Sequence, residues 1–198
     1  MSLPPPQPRK HLHHRKVSYD GYLREDGLWD LEARMTDTKA YPMATPDRGD
    51  MPAGTPIHDM YIRATVDDSM KIVEITAVMA SRPFPECPKA EDPMQKMVGA
   101  TMGPGWRHTI EKAIGGIQGC THLRELLFNM ATAAYQTIPV YQAHRDNKHT
   151  MRGMAEGLPP PHLGKCMAWD FKGPVVKRIY PQFVGWQPVP KTTTPEKT

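Results

Sequence analysis

The stretch Met60-Tyr61-Ile62-Arg63-Ala64-Thr65-Val66-Asp67-Asp68-Ser69-Met70-Lys71-Ile72-Val73-Glu74-Ile75-Thr76-Ala77-Val78-Met79 reads as two strands joined by a turn. Met60, Ile62, Ala64 and Val66 take every second position, and Val73, Ile75, Ala77 and Met79 do the same beyond Asp67-Asp68-Ser69. A period of two marks a half-buried strand, and an Asp-Asp-Ser cluster between two such runs is turn chemistry. The spacing predicts an antiparallel hairpin over residues 59–66 and 70–79. Upstream, Trp29, Leu31, Ala33 and Met35 alternate with Asp30, Glu32 and Arg34, which adds a neighbouring strand, with Tyr19 and Tyr22 on its other partner. Asp30 and Arg34 then fall on the face opposite Trp29, as a solvated charge ladder or as a functional surface.

Downstream of Pro83 and Pro85 the period changes to 3.6. Helical pieces are expected around 93–98 and 106–114, followed by a long helix over 122–136 whose apolar set is Leu123, Leu126, Leu127, Met130 and Ala134. A short hairpin is expected from Cys166–Phe171 and Val175–Tyr180 around Lys172-Gly173-Pro174. Strands first and helices later predict an α+β fold, an antiparallel sheet with helices packed on one face. The expected organisation is an extended basic arm over 1–15, a single α+β domain over 16–182 and a disordered tail over 183–198.

Composition narrows the function classes. The 198 residues carry 25 basic and 21 acidic side chains, a net charge of +4, too mild an excess to point to nucleic acid. Three cysteines without a pairing pattern, no secretory leader and no long apolar run predict a cytoplasmic protein that does not enter a membrane. The 22 prolines mark loops and tails. The 14 methionines, Met60, Met79, Met94, Met97 and Met102 among them, read first as core filler and second as the lining of an adaptable pocket. There is no phosphate loop, dinucleotide fingerprint or Gly-x-Ser-x-Gly elbow.

The chemistry concentrates at Gly115-Gly116-Ile117-Gln118-Gly119-Cys120-Thr121-His122. Thr121 reads as the N-cap of the long helix, so Cys120 and His122 flank a helix N-terminus, where a thiolate is stabilised and imidazole protonation discouraged. Paired with His58 across a gap between strand and helix, His122 would complete an acid–base site with Cys120 close by and Tyr61 or Trp106 as a wall. Asp59 reaches the same site only if the strand starts irregularly, because neighbouring residues on a strand face opposite ways. Arg15 and Lys39, with Arg9, are candidates to hold a carboxylate or phosphate. The same residues read otherwise as satisfied structural histidines and a half-buried thiol.

The runs Pro8-Arg9-Lys10-His11, Asp26-Gly27-Leu28-Trp29-Asp30, Thr36-Asp37-Thr38-Lys39 and Gly119-Cys120-Thr121-His122-Leu123 resemble the domain of unknown function 2889 family over nearly the whole chain. The resemblance implies a setting near genes for breakdown of aromatic compounds, which is an association and not a mechanism. A more distant resemblance follows the order Asp59, hairpin, Cys87, Cys120 and is to the NifU-type iron–sulfur scaffolds, a NifU/SufE-like fold. That likeness implies Asp59 as the scaffold's aspartate and Cys87 and Cys120 as its second and third cysteines. The first cysteine is missing, the glycines beside the second are replaced by Pro85 and Pro88, and the histidine follows Cys120 instead of preceding its cysteine. Two functions from different classes emerge. One is a lyase or isomerase using His58, Asp59, His122 and Cys120 on a small aromatic substrate without a cofactor. The other is a carrier holding zinc or iron on Cys87, Cys120, His58 and His122. Substrate identity and homo-oligomer formation stay open.

Overall fold

The computed structural model describes residues 3–146 and 157–187. The chain divides into two compact units, Met1–Tyr141 and Gln142–Thr198, where the sequence reading placed one domain over 16–182. In the first unit, strands β1 (His13–Leu23), β2 (Trp29–Lys39), β5 (Pro56–Val66) and β6 (Ile72–Ser81) form an antiparallel sheet in the order β1-β2-β5-β6. Strands β3 (Met43–Thr45) and β4 (Gly49–Met51) make a separate two-stranded ribbon in the β2–β5 connection. Helices α1 (Trp106–Ile114) and α2 (Thr121–Arg145) follow the sheet, so the class is α+β.

The alternation in β2 becomes burial directly. Trp29, Leu31, Ala33 and Met35 are buried on the face that Met60, Ile62, Ala64 and Val66 share. Met94, Met97, Trp106, Ile110, Leu123, Leu127 and Met130 belong to the same core cluster, which is how the helical segments are held to this sheet. Met60, Met79, Met94, Met97 and Met102 are all buried within it, so these methionines fill the core instead of lining a pocket. In β6 the register shifts opposite Thr65 and Val66, and the inward residue is Ile72, while Val73 is exposed.

Four expectations are corrected. The arm ends earlier than residue 15, because β1 begins at His13 and pairs in register with β2 from Lys39 back to Trp29. Its side chains are mostly exposed, so pairing with β2, not burial, makes this edge strand. Helix α2 runs on past residue 136, through Pro139 to Arg145. In the second unit residues 167–169 form a short 3₁₀ turn and α3 (Pro174–Ile179) is a helix, so the expected hairpin is absent. Pro174 at the first turn fixes a helical φ, and Val176 and Tyr180, four apart, enter a cluster with Leu163 and Phe183. Phe183 is thus buried structure instead of tail, and residues 188–198 of the expected tail lie outside the described residues.

Candidate functional site

The inner face of the sheet changes character at one end. Asp37 is the next inward position after Trp29, Leu31, Ala33 and Met35, and it is only 2% exposed. In register it lies between Arg15 of β1 and His58 of β5, so one row across three strands reads Arg15, Asp37, His58. Arg15 grips the carboxylate with two parallel bonds, Nε to Oδ1 and Nη2 to Oδ2, both 2.9 Å. His13 Nε2 lies 3.0 Å from Oδ1, and His58 Nδ1 lies 3.1 Å from Oδ2. Each oxygen therefore meets two partners, which fills the acceptor capacity of a carboxylate.

Helix α2 supplies the other wall. Arg15 Nη1 donates to Glu125 Oε2 at 2.9 Å, tying the edge strand to the first turns of the helix. The His122 ring stands 4.1 Å from the His58 ring, centroid to centroid, and its Nδ1 lies 3.9 Å from Cys120 Sγ. The turn into the helix is set by glycine. Gly116 has φ +55, and a Cβ on Gly119 would come within 2.5 Å of the Ile114 carbonyl oxygen. Cys120, not Thr121, holds the cap position, since its carbonyl accepts the Arg124 N–H at 3.0 Å. Cys120 also lines a cleft of about 680 Å³ together with Cys87.

Charge states follow from these neighbours. Burial alone would raise the Asp37 pKa, but the Arg15 hydrogen bonds and charge, with His58, outweigh it and hold the carboxyl below its ordinary value. Burial pushes the His58 imidazole below its usual range against the pull of Asp37. It does the same to His122, helped by the Arg15 charge and by the charge His58 would carry if protonated. A carboxylate only accepts, so neutral His58 places its proton on Nδ1 toward Asp37 and leaves the Nε2 lone pair free. This is an imidazole base held by a buried carboxylate.

The other predicted residues lie elsewhere. Asp59 faces the opposite side of the sheet, where Arg34 holds it with bonds of 2.9 and 3.0 Å and the Tyr61 hydroxyl donates to it at 3.3 Å. Although the ladder shifts register on either side of them, His58 and Asp59 themselves pair consecutively with Asp37 and Thr36, so the two still alternate with the pleat. Tyr61 therefore walls the outer face, under the Arg34 guanidinium at 4.9 Å. Trp106 is buried in the core and donates from Nε1 to the Leu127 carbonyl at 2.8 Å. Lys39 stands two residues beyond Asp37, opposite His13 in the ladder. Among the described residues, the group of three side chains with ligand atoms within 4.8 Å of one another is Asp37, His58 and His122, and neither Cys87 nor Cys120 belongs to it. Asp37, His13 and Glu125 were missed as site residues. For Asp37 the signal was present, as the continuation of the Trp29 to Met35 alternation.

Fold and site together define an antiparallel α+β protein with a carboxylate–histidine–histidine cluster between sheet and helix. The chain belongs to the family described as protein of unknown function (DUF2889), whose model matches residues 13–136 and so spans β1 to the middle of α2. No curated protein and no solved structure matches the chain. No helix among the described residues is long and apolar enough to cross a membrane.

Proposed function

We propose that this protein is an enzyme that transfers a proton on a small organic substrate, a lyase or isomerase of aromatic-compound catabolism, with His58 as the general base. What supports the reading is the Asp37–His58 hydrogen bond, 3.1 Å from a carboxylate whose acceptor positions are all taken. Saturated in this way, Asp37 is a positioning residue: it sets the His58 tautomer and stabilises the imidazolium that forms when Nε2 takes a substrate proton. His122, 4.1 Å away, receives or returns that proton, and its neutral form keeps a second positive charge out of the site. Cys120 lies beside His122 at the edge of the cleft. On this reading the protein works in the cytoplasm, on a diffusible substrate, with no cofactor and no nucleic acid.

A second reading, a zinc or iron carrier in the manner of the NifU-type scaffolds, is favoured by the close approach of Asp37, His58 and His122. His58 and His122 would hold the ion. Asp37 would support His58 from behind, since binding the ion itself would cost it the Arg15 pair.

One paired experiment separates the two. Metal content, thermal midpoint and consumption of small aromatic substrates are measured for wild type, His58→Ala, His122→Ala and Cys120→Ala, all purified without a tag. The proton-transfer reading expects turnover by metal-free wild type and a loss of about 10²–10⁴ in turnover for His58→Ala. Stoichiometric metal in wild type, lost in the histidine variants together with stability and with no substrate consumed, would establish the carrier instead.

A further inference from the structure

The cleft beside the site has a chemistry of its own. Its volume of about 680 Å³ lies within the roughly 300–1,000 Å³ of small-molecule sites. The 3₁₀ turns Cys87–Ala90 and Gly116–Gln118, with residues 119–120 after the second, contribute to its lining. Two large apolar side chains are left to water on this one concavity, Phe84 half-exposed and Ile117 fully exposed. Lys89 and Lys96 bring two ammonium groups and Glu86 one carboxylate. None of the three enters an ion pair among the described residues.

We propose that this cleft binds a small apolar molecule carrying a single carboxylate, with its apolar body on Phe84 and Ile117 and its charge toward Lys89 and Lys96. The net charge of the three ionic side chains is +1, which one carboxylate neutralises. A phosphate dianion would leave excess negative charge beside Glu86. Cys120 belongs to both places: it lines the cleft, and its sulfur lies 3.9 Å from His122 Nδ1. Cys120 is the residue the two places share, while His58 and His122 are not among the cleft's lining; taking the cleft's ligand as the substrate of the proton-transfer site rests on that reading.

The three thiols make binding measurable without turnover. Cys87 and Cys120 line the cleft, whereas Cys166 is exposed in the other unit and serves as an internal reference. The full-length protein is alkylated with iodoacetamide over time and mapped by mass spectrometry, alone and with saturating benzoate, phenylacetate, cinnamate or hexanoate. Benzamide is the neutral control. We expect at least one acid to slow labelling of Cys87 and Cys120 several-fold, with Cys166 unchanged. The double variant Lys89→Met/Lys96→Met should lose that protection at an unchanged thermal midpoint. The proposal is overturned if no acid protects the two thiols, if benzamide protects equally, or if the lysine variant is protected as well as wild type. His58→Ala is expected to keep the protection. Protection retained alongside undiminished turnover in His58→Ala would leave the cleft standing and remove the base.

Discussion

Two arginine–aspartate pairs lie on opposite faces of one sheet with almost the same geometry. Arg15 holds Asp37 through bonds of 2.9 and 2.9 Å, and Arg34 holds Asp59 through bonds of 2.9 and 3.0 Å. Their surroundings differ. The Asp37 side chain is 3% exposed and also meets His13 and His58, whereas Asp59 on the outer face is 15% exposed and meets the Tyr61 hydroxyl, and the two arginines are 37% and 51% exposed. A bidentate distance therefore says little about worth. In the inner pair a fixed charge meets the His58 ring, whose own pKa burial lowers.

The sharpest break in the comparison is to neutralise each carboxylate in turn. Asp37→Asn should lower folding stability by about 2–4 kcal/mol in urea denaturation, because it leaves Arg15 and two histidines facing a half-satisfied buried group. It should lower turnover as well, since the amide no longer enforces the His58 tautomer. Equal stability losses for Asp37→Asn and Asp59→Asn would end the distinction.

Acid is the next lever. Asp37 has a depressed pKa in the folded state, so its stabilising effect is complete above the ordinary carboxylate value and is lost as pH falls through the folded value. His58 and His122 are also depressed, and for a base this means the unfolded chain takes up protons first, so stability declines as pH drops below about 6.5. Both terms have the same sign. Thermal midpoints from pH 8 to 4 should fall in two stages, with the upper stage reduced in the double variant His58→Ala/His122→Ala.

The smallest effect belongs to the outer face. Asp59→Asn should cost less than about 1 kcal/mol. Adding salt should shrink this difference while leaving that of Asp37→Asn nearly intact, because exposed charges are screened and buried ones much less so. A salt-insensitive outer pair would contradict the assignment.

The same contrast explains what could be read from the residues alone. Where apolar alternation ran unbroken, as over Trp29–Met35 and Met60–Val66, strand, face and core followed, and the pairing of His58 with His122 followed from placing a strand opposite a helix start. Asp37 was not picked out as a site residue because the apolar alternation stops before it, although the pleat continues through it. The beginning of strand β1, expected to belong to the arm, was hidden for a different reason. Its first residues, His13 to Lys16, are exposed and carry no apolar period, and only pairing with β2 makes them a strand. In the second unit Val175-Val176 resembled strand, but Pro174 starts a helical turn there.

The central claim is that His58 is a neutral base whose proton is pinned to Nδ1 by Asp37. A long-range ¹⁵N–¹H correlation spectrum of the histidine rings, assigned with His58→Ala and titrated from pH 8 to 5, tests it without a substrate. The account predicts that at pH 8 His58 is the Nδ1-protonated tautomer with a bare Nε2, that it titrates below about 6.5, and that Asp37→Asn releases the tautomer preference. A His58 ring protonated on Nε2 at pH 8, or one unmoved by Asp37→Asn, would contradict it.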